Sequence, residues 1–452
     1  MSKYYLLGIG GAGLSALGHY LVDSGNQVCG YDLTKSWELK YLLERGINFY
    51  ENTFNLADIN NHDIFIKTLA INDEMPVVKT AKLLSKPVYN YPEYLGIISA
   101  QHNNVIAVCG AHGKTTVAGL SAFLLSKYGL SPSYIVGGII SNFQKNGKYG
   151  SPQYLVVEAC EFRESFLNLT PRIIIANNIE MDHTDYYHDI GKLKNAYLKF
   201  FQKSCVEYII YNKDCKLLTE VVNEVKDKIK ISFGSDRKSD YTISNFSNTN
   251  RITFDVVDKK NDSYCIVSHL YGYHSAYNIV AVLALCDILG LDRKYFRNFV
   301  LEFQGVERRM QTIEIGQYTF ILDYAHHPTQ LNNVVHILSM KNGKDFLVVF
   351  QPHQLKRLLY FEKEFLSIFQ TIENLILTPV YKAREEYDEG DTIQRFIDIL
   401  KRYNTCYYFH SYADIANFIK TSGFKTILLA GAGDIYRVLE YFNYEENHKK
   451  KC

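Results

Sequence analysis

The chain has 452 residues, 47% of them hydrophobic and 21% charged, ordinary values for a globular protein; at roughly 100–200 residues per domain, that length suggests about three domains. Lysine plus arginine number 49 against 48 aspartate plus glutamate, and the net charge of +1 argues against nucleic acid as the main partner, because phosphate-backbone binding leaves an overall basic footprint. No run reaches the ~20 apolar residues of a bilayer span, which argues against a membrane partner, and nine cysteines with no pair two or three apart and no secretion signal fit a reducing, cytoplasmic setting.

In chain order, Tyr4–Leu7 reads as a short apolar strand, Gly8–Gly13 as a turn and Leu14–Val22 as a helix by its apolar spacing. Gln27–Tyr31 is a second strand ending at Asp32, alternation continues to about Tyr94, and Leu95–Asn104 reads as a connector. A new β–loop–α unit follows: strand Val105–Val108, loop Cys109–Gly113, helix Lys114–Ser126. Tyr154–Glu158 and Arg172–Asn177 read as buried strands, and Asn278–Leu289 as an apolar helix opened by Asn278. The last pattern has strands at Thr319–Leu322, Phe346–Phe350, Asn374–Thr378 and Thr426–Leu429, and the basic tail His448–Lys451 reads as frayed and solvated. The expected fold class is α/β with three domains: a Rossmann-like domain at 1–95, a central P-loop domain with a mostly parallel sheet at 96–311, and a Rossmann-like α/β domain at 312–452.

The strongest chemical signal is Gly110-Ala111-His112-Gly113-Lys114-Thr115-Thr116, which follows an apolar strand and opens a helix. Glycines let backbone N–H groups close around phosphate oxygens, and the helix N-terminus adds a positive dipole end. Lys114 can reach the β- and γ-phosphates of ATP, and the Thr115 hydroxyl can ligate Mg²⁺. Two residues separate Gly110 from Gly113, where the general motif has four.

Gly8-Ile9-Gly10-Gly11-Ala12-Gly13, with Asp32 about 20 residues on, matches a dinucleotide fingerprint. Such a turn suits the pyrophosphate of NAD, FAD or a UDP-sugar alike, and a strand-end aspartate is commonly a turn residue. Two pyrophosphate-type loops point to a nucleotide-linked substrate plus ATP rather than to a simple dehydrogenase.

With both loops in place, the chain resembles the Mur ligases over nearly its whole length. The resemblance is carried, in order, by GIGGAGLSALG at 8–18, GAHGKTT at 110–116, VVEACEFRESFL at 156–167 and NNIEMDHTDYY at 177–187. It continues with GYHSAYN at 272–278, FQGVERRM at 303–310, DYAHHPT at 323–329, FQPHQLKR at 350–357 and GAGDI at 431–435. It implies ATP- and Mg²⁺-dependent joining of L-alanine to the lactyl carboxylate of UDP-N-acetylmuramate through an acyl phosphate, in bacterial peptidoglycan synthesis, by a monomer or homodimer.

The resemblance also assigns residues. Gly11, Ala12, Gly13 and Asp32 would hold the UDP-sugar, and Gly110–Thr116 the ATP phosphates. Thr115, Glu158 and His183 would ligate metal, although an imidazole is not the oxygen donor Mg²⁺ prefers; the alternative for His183 is a hydrogen-bonded core residue, and Asp182 is placed to orient it. Glu161 is a further acidic candidate. Asn278 would meet the adenine edge, Arg308 and Arg309 the γ-phosphate, and Asp323 the ribose. Tyr324 lies beside His326, which with His353 and Arg357 would form a cationic pocket for the L-alanine carboxylate. Ala111, Ser275, Leu322 and Gln354 stand where relatives usually carry Thr, Asn, Asp and Arg, which leaves adenine contact and amino-acid choice open. A muropeptide-recycling ligase, using a peptide as the amine, is the sibling alternative. An NAD-dependent oxidoreductase is the alternative from another class.

Overall fold

A computed structural model describes residues 1–442 except 250, 384, 386–390 and 404; the basic tail lies outside the described residues. The chain forms two compact units, residues 1–181 with 186–306, and residues 182–185 with 307 onward. Three α/β domains, each built on its own sheet, make up the fold.

The first sheet is wholly parallel, in the order β3 (Asn48–Glu51), β2 (Gln27–Asp32), β1 (Lys3–Leu7), β4 (Ile64–Lys67), β5 (Val88–Asn90). The helix Ala12–Asp23 returns the chain from β1 to β2. Leu95–Asn104, read as a connector, is mostly helix: Tyr91–Ala100 is helical. Asn90 and Glu93 form a capping box, Pro92 sits in the first turn, and Leu95 and Ile98 are buried, so the caps and the apolar face outweigh the small polar residues at its end.

The central sheet has ten strands: β6 (Asn104–Cys109), β7 (Pro132–Ile140), β8 (Lys145–Lys148), β9 (Ser151–Glu158), β10 (Ile173–Ala176), β11 (Tyr208–Asn212), β12 (Ile229–Gly234), β13 (Tyr241–Asn248), β14 (Ile252–Asp258) and β15 (Ser263–Ser268). Their order is β15-β14-β13-β12-β11-β10-β6-β9-β7-β8. The middle is parallel and covered on both faces, so β6 and β10 are buried at every position. The flanks are antiparallel, and β14 alternates buried and half-buried residues because only one face meets a core. The helix expected to open at Asn278 starts earlier, at Tyr273, directly after Gly272 with its φ of 77°. Asn278 therefore lies inside a helix and is not its cap.

The sheet edge at β8 packs on the helix Ala12–Asp23. Asn146 donates to the Ala12 carbonyl at 3.0 Å and to Ser15 Oγ at 2.8 Å. A Cβ on Gly147 would overlap the Ala16 carbonyl, so backbone lies against backbone here.

The second unit has a six-stranded sheet in the order β16 (Gln311–Ile315), β17 (Tyr318–Asp323), β21 (Thr426–Ala430), β18 (Leu347–Phe350), β19 (Asn374–Leu377), β20 (Thr405–Tyr408). The β16–β17 hairpin is antiparallel and every other pairing is parallel. Asp323, Phe350 and Ala430 thus end neighbouring strands at the carboxyl edge, where α/β sheets bind ligands. Among the described residues, no helix is long and apolar enough to cross a membrane.

Candidate functional site

In the first unit, β6 delivers the chain into Gly110 (φ 131°) and Gly113 (φ 84°). Neither position admits a side chain. A Cβ on Gly110 would lie 3.0 Å from the Asn178 backbone N and O, and one on Gly113 would lie 2.7 Å from Asn278 Oδ1. Asn178 brackets His112, accepting from its N–H at 2.9 Å and donating to its carbonyl at 3.1 Å. Asn177 donates to the same carbonyl and to Asn278 Oδ1, both at 3.3 Å. The two asparagines thus hold the His112 peptide groups, and with them the course of the turn between Gly110 and Lys114, the kind of preorganisation on which charge stabilisation depends. His112 Nε2 meets Glu180 Oε2 at 2.8 Å, and burial, then the nearby His112, lowers the pKa of His274 to about 4.

Lys114 opens the following helix, Lys114–Lys127. Its Nζ donates to the Gly110 carbonyl at 2.5 Å and to Glu161 at 3.0 and 3.2 Å. Burial pulls the ammonium pKa down, but the carboxylates, Glu161 ahead of Glu158, outweigh it, and the net shift is upward. Thr115 is buried and donates to Glu158 Oε1 at 2.7 Å, while Thr116 beside it is half-buried. The second oxygen of Glu158 accepts from the Gly137 N–H of β7, and a Cβ at residue 137 would overlap it. Lys114 and Thr115, after β6, thus come together with Glu158 and Glu161, at the end of the neighbouring β9.

At the first glycine turn, the N–H groups of Gly8 and Ile9 donate to the Tyr31 carbonyl at 2.8 and 3.1 Å, and Gly11 caps the helix that starts at Ala12. Asp32 accepts from Gly10 N and Leu33 N, each at 2.7 Å. Burial raises its pKa, and those two amides oppose the rise. Ser36 closes the turn by donating to the Gly10 carbonyl at 2.7 Å. Asp32 is thereby a latch on the turn's backbone.

In the second unit, Arg308 (φ 59°) is buried and donates to the carbonyls of Gly431 and Gly433 at 2.9 and 2.6 Å. Its guanidinium lies 4.9 Å from the ring centres of both Tyr324 and Tyr436, and Arg309 lies 4.9 Å from that of Tyr324. Asp323 accepts from Met310 N and Ala325 N, each at 2.8 Å, and so ties the arginine loop to the end of β17. Burial raises its pKa, opposed first by Arg309.

His326, His353 and Arg357 also come together. Their histidine rings are 5.8 Å apart, and Arg357 Nη1 lies 3.2 Å from both His353 Nδ1 and the His353 carbonyl. Gln354, with φ 70°, precedes the helix Leu355–Tyr360 that carries Arg357. Arg357 Nη2 donates to Asp182 Oδ1 at 2.9 Å, and both side chains are about 6% exposed. Asp182 also accepts from the N–H of His183 (φ 52°) at 2.7 Å. Burial disfavours the Asp182 carboxylate, but Arg357, then His183 and His326, hold its pKa well below the usual range. Burial, then Arg357, keeps His326 neutral. The pocket expected to be cationic therefore has a neutral His326, because burial disfavours its charge, and an Arg357 whose charge is met by Asp182.

Sequence reasoning missed Asn177, Asn178 and Gly137. The asparagines lie in the segment NNIEMDHTDYY, which carries no local signal for their bonds to His112, and nothing local marks Gly137, 21 residues from Glu158.

A P-loop between parallel strand and helix, in a three-domain α/β chain with a second glycine turn, defines a nucleotide-using enzyme. Residues 3–103, 108–286 and 308–433 match the family models described as Mur ligase family, catalytic domain; Mur ligase middle domain; and Mur ligase, glutamate ligase domain. UDP-N-acetylmuramate–L-alanine ligase of Caldicellulosiruptor saccharolyticus is 34% identical over 97% of this chain and 98% of its own; that of Clostridium tetani is 30% identical over 98% of each. Among solved structures, a UDP-N-acetylmuramate–alanine ligase from Thermotoga maritima superposes with a TM-score of 0.84 over 100% of both chains at 24% identity. A murein peptide ligase from Psychrobacter arcticus gives 0.76 over 98% of this chain and 99% of its own at 20% identity. At those identities the two structures speak to fold alone. The chain belongs to the Mur ligase family, a family of ATP-using ligases.

Proposed function

We propose that this chain joins L-alanine to the lactyl carboxylate of UDP-N-acetylmuramate at the expense of ATP, a step of peptidoglycan synthesis. The observation that carries the reading is the cluster at the phosphate loop, where Lys114 meets Glu161 and Thr115 meets Glu158 beside the glycine turn. The names of the full-length relatives support the choice of substrates.

A carboxylate needs a leaving group before an amine can displace its oxygen. In this reading a lactyl carboxylate oxygen attacks the γ-phosphorus, the bond to ADP breaks and an acyl phosphate forms. The L-alanine amine then adds to the acyl carbon, and the tetrahedral intermediate collapses to the amide, inorganic phosphate and a proton. Lys114 faces the β- and γ-oxygens as a fixed positive charge, and the loop amides hold them in line. Thr115 and Glu158 present oxygen donors 2.7 Å apart, the hard ligand type that suits Mg²⁺. When bound there, the ion would supply charge neutralisation between the phosphates. The first glycine turn takes the uridine diphosphate.

The remaining roles follow the resemblance: Asn278 at the adenine, Asp323 at the ribose, Arg308 and Arg309 at the γ-phosphate, His183 as a further metal ligand, and Tyr324, His326, His353 and Arg357 around L-alanine. ATP dependence and eight unpaired cysteines among the described residues favour the cytoplasm. The test is phosphate release with each component omitted in turn, using UDP-N-acetylmuramate with a panel of amino acids and a tripeptide. Release that requires ATP, Mg²⁺, the UDP-sugar and L-alanine together supports the reading. Release with the tripeptide and not with L-alanine replaces it by the recycling reaction, and no ATP-dependent release overturns it.

A further inference from the structure

Tyr91 stands between the two nucleotide loops and belongs to neither. It opens the helix Tyr91–Ala100, whose start is fixed by the Asn90–Glu93 capping box. The helix is fastened to the central domain. A Cβ on Gly96 would lie 2.8 Å from the Asn168 carbonyl, and Ser99 Oγ meets both Thr170 Oγ1 and Thr170 N at 3.2 Å. Its first residue is therefore held in place and not at a fraying end.

Two observations locate the phenol. Its Cζ, Cε1 and Oη lie 2.8, 2.9 and 3.0 Å from where a Cβ on Gly13 would stand, so the hydroxyl end of the ring rests on the last glycine of the first turn. That hydroxyl also feels the carboxylate of Glu158, on the phosphate-loop side of the same unit. Burial first, then Glu158, raises its pKa further above neutrality. The ring is half-buried, and its hydroxyl makes no hydrogen bond among the described residues. A neutral donor thus lies along the line that a nucleotide-linked acid must cover, from a pyrophosphate at Gly11–Gly13 to a reacting carboxylate beside Glu158.

We propose that Tyr91 is a specificity-determining residue whose hydroxyl donates to the carboxylate-bearing arm of the UDP-sugar. The inference rests on the function proposed above. A carboxylate can only accept, and a protonated phenol has an O–H to donate, so the pairing is matched in kind. Gly13 is required because any side chain there would push the ring out of the path.

The test is Tyr91→Phe in the full chain, which removes one oxygen and keeps the packing. We expect its KM for UDP-N-acetylmuramate to rise about 10-fold, as for a lost hydrogen bond to a charged group, with the KM for ATP unchanged within about twofold. Competitive inhibition by UDP-N-acetylglucosamine, which lacks the lactyl carboxylate, should be the same for parent and variant. An unchanged KM for UDP-N-acetylmuramate, or an equal loss for both sugars, overturns the inference. A thermal melt of Tyr91→Phe coinciding with that of the parent keeps a folding defect from mimicking the expected result. The parent separates the two readings: if it releases no phosphate, the function falls first, whereas an active parent with an indifferent Tyr91→Phe sinks only the role of Tyr91.

Discussion

Lys114 Nζ lies 3.0 Å from Glu161 Oε2, and the Glu161 side chain is 2% exposed. The Lys114 ammonium is thus parked on a buried carboxylate that depends on it. Lys114→Met should abolish ligation, leave UDP-sugar binding intact and cost about 3–5 kcal/mol in stability, because an unpaired buried charge remains. Adding Glu161→Gln should restore most of the stability and none of the activity. Urea midpoints and phosphate release on the two variants check this; equal midpoints for the single and double variants would show that the pair carries no such coupling.

Gly137 is the position from which β7 grips Glu158. Gly137→Ala would drive Glu158 away from Thr115 without touching either residue's chemistry. A displacement of that kind should lower kcat about 100-fold and move the Mg²⁺ dependence of the rate to higher concentration. A magnesium titration of initial rates reads both, and a variant with parental kcat would remove Glu158 from the reacting centre.

Arg357 joins His353 to Asp182. Under the proposed function, Arg357→Lys should raise the KM for L-alanine about 10-fold or more, because a lysine keeps the charge and loses the fork that spans two partners. The KM for ATP should stay where it was. Steady-state kinetics with each substrate varied separately decide it, and a rise confined to ATP would move Arg357 to a different ligand.

His19 gives a pH signature apart from the chemistry. It is 1% exposed, Arg45 Nη1 lies 3.4 Å from its Nδ1, and burial, then Arg45 and Lys145, lowers its pKa from 6.5 to about 3. The folded chain refuses a proton that the unfolded chain accepts. The stability this residue contributes is therefore complete above pH 6.5 and is lost progressively as pH falls from there towards 3. Between pH 6 and 5 the parent should lose about 1 kcal/mol more than His19→Leu. Urea unfolding at the two pH values measures the difference, and parallel losses would show that His19 titrates normally.

What was legible in the sequence follows from how local each signal is. The phosphate loop was legible because strand, glycines, Lys114-Thr115 and helix are contiguous. The start of the helix holding Asn278 was misjudged because the break is one left-handed glycine, Gly272, inside a segment read for its motif. The helix Tyr91–Ala100 could have been found from Asn90-x-x-Glu93, whose capping chemistry is written in four residues. Asp182 with Arg357, 175 residues apart, and Gly137 with Glu158 leave no local trace. Such pairs exist only once the sheets bring distant segments together. The antiparallel flank β13–β15 went unread because its strands alternate in polarity and blend into a polar stretch.

Gly147 lies against the Ala16 carbonyl with no room for even a methyl group. Anyone building chimeras between members of this family should treat residues 145–148 as belonging to the transplant that contains the helix Ala12–Asp23. A graft cut between them would set a foreign side chain against a peptide group, and the seam would fail at a place that domain boundaries drawn on the linear sequence never mark.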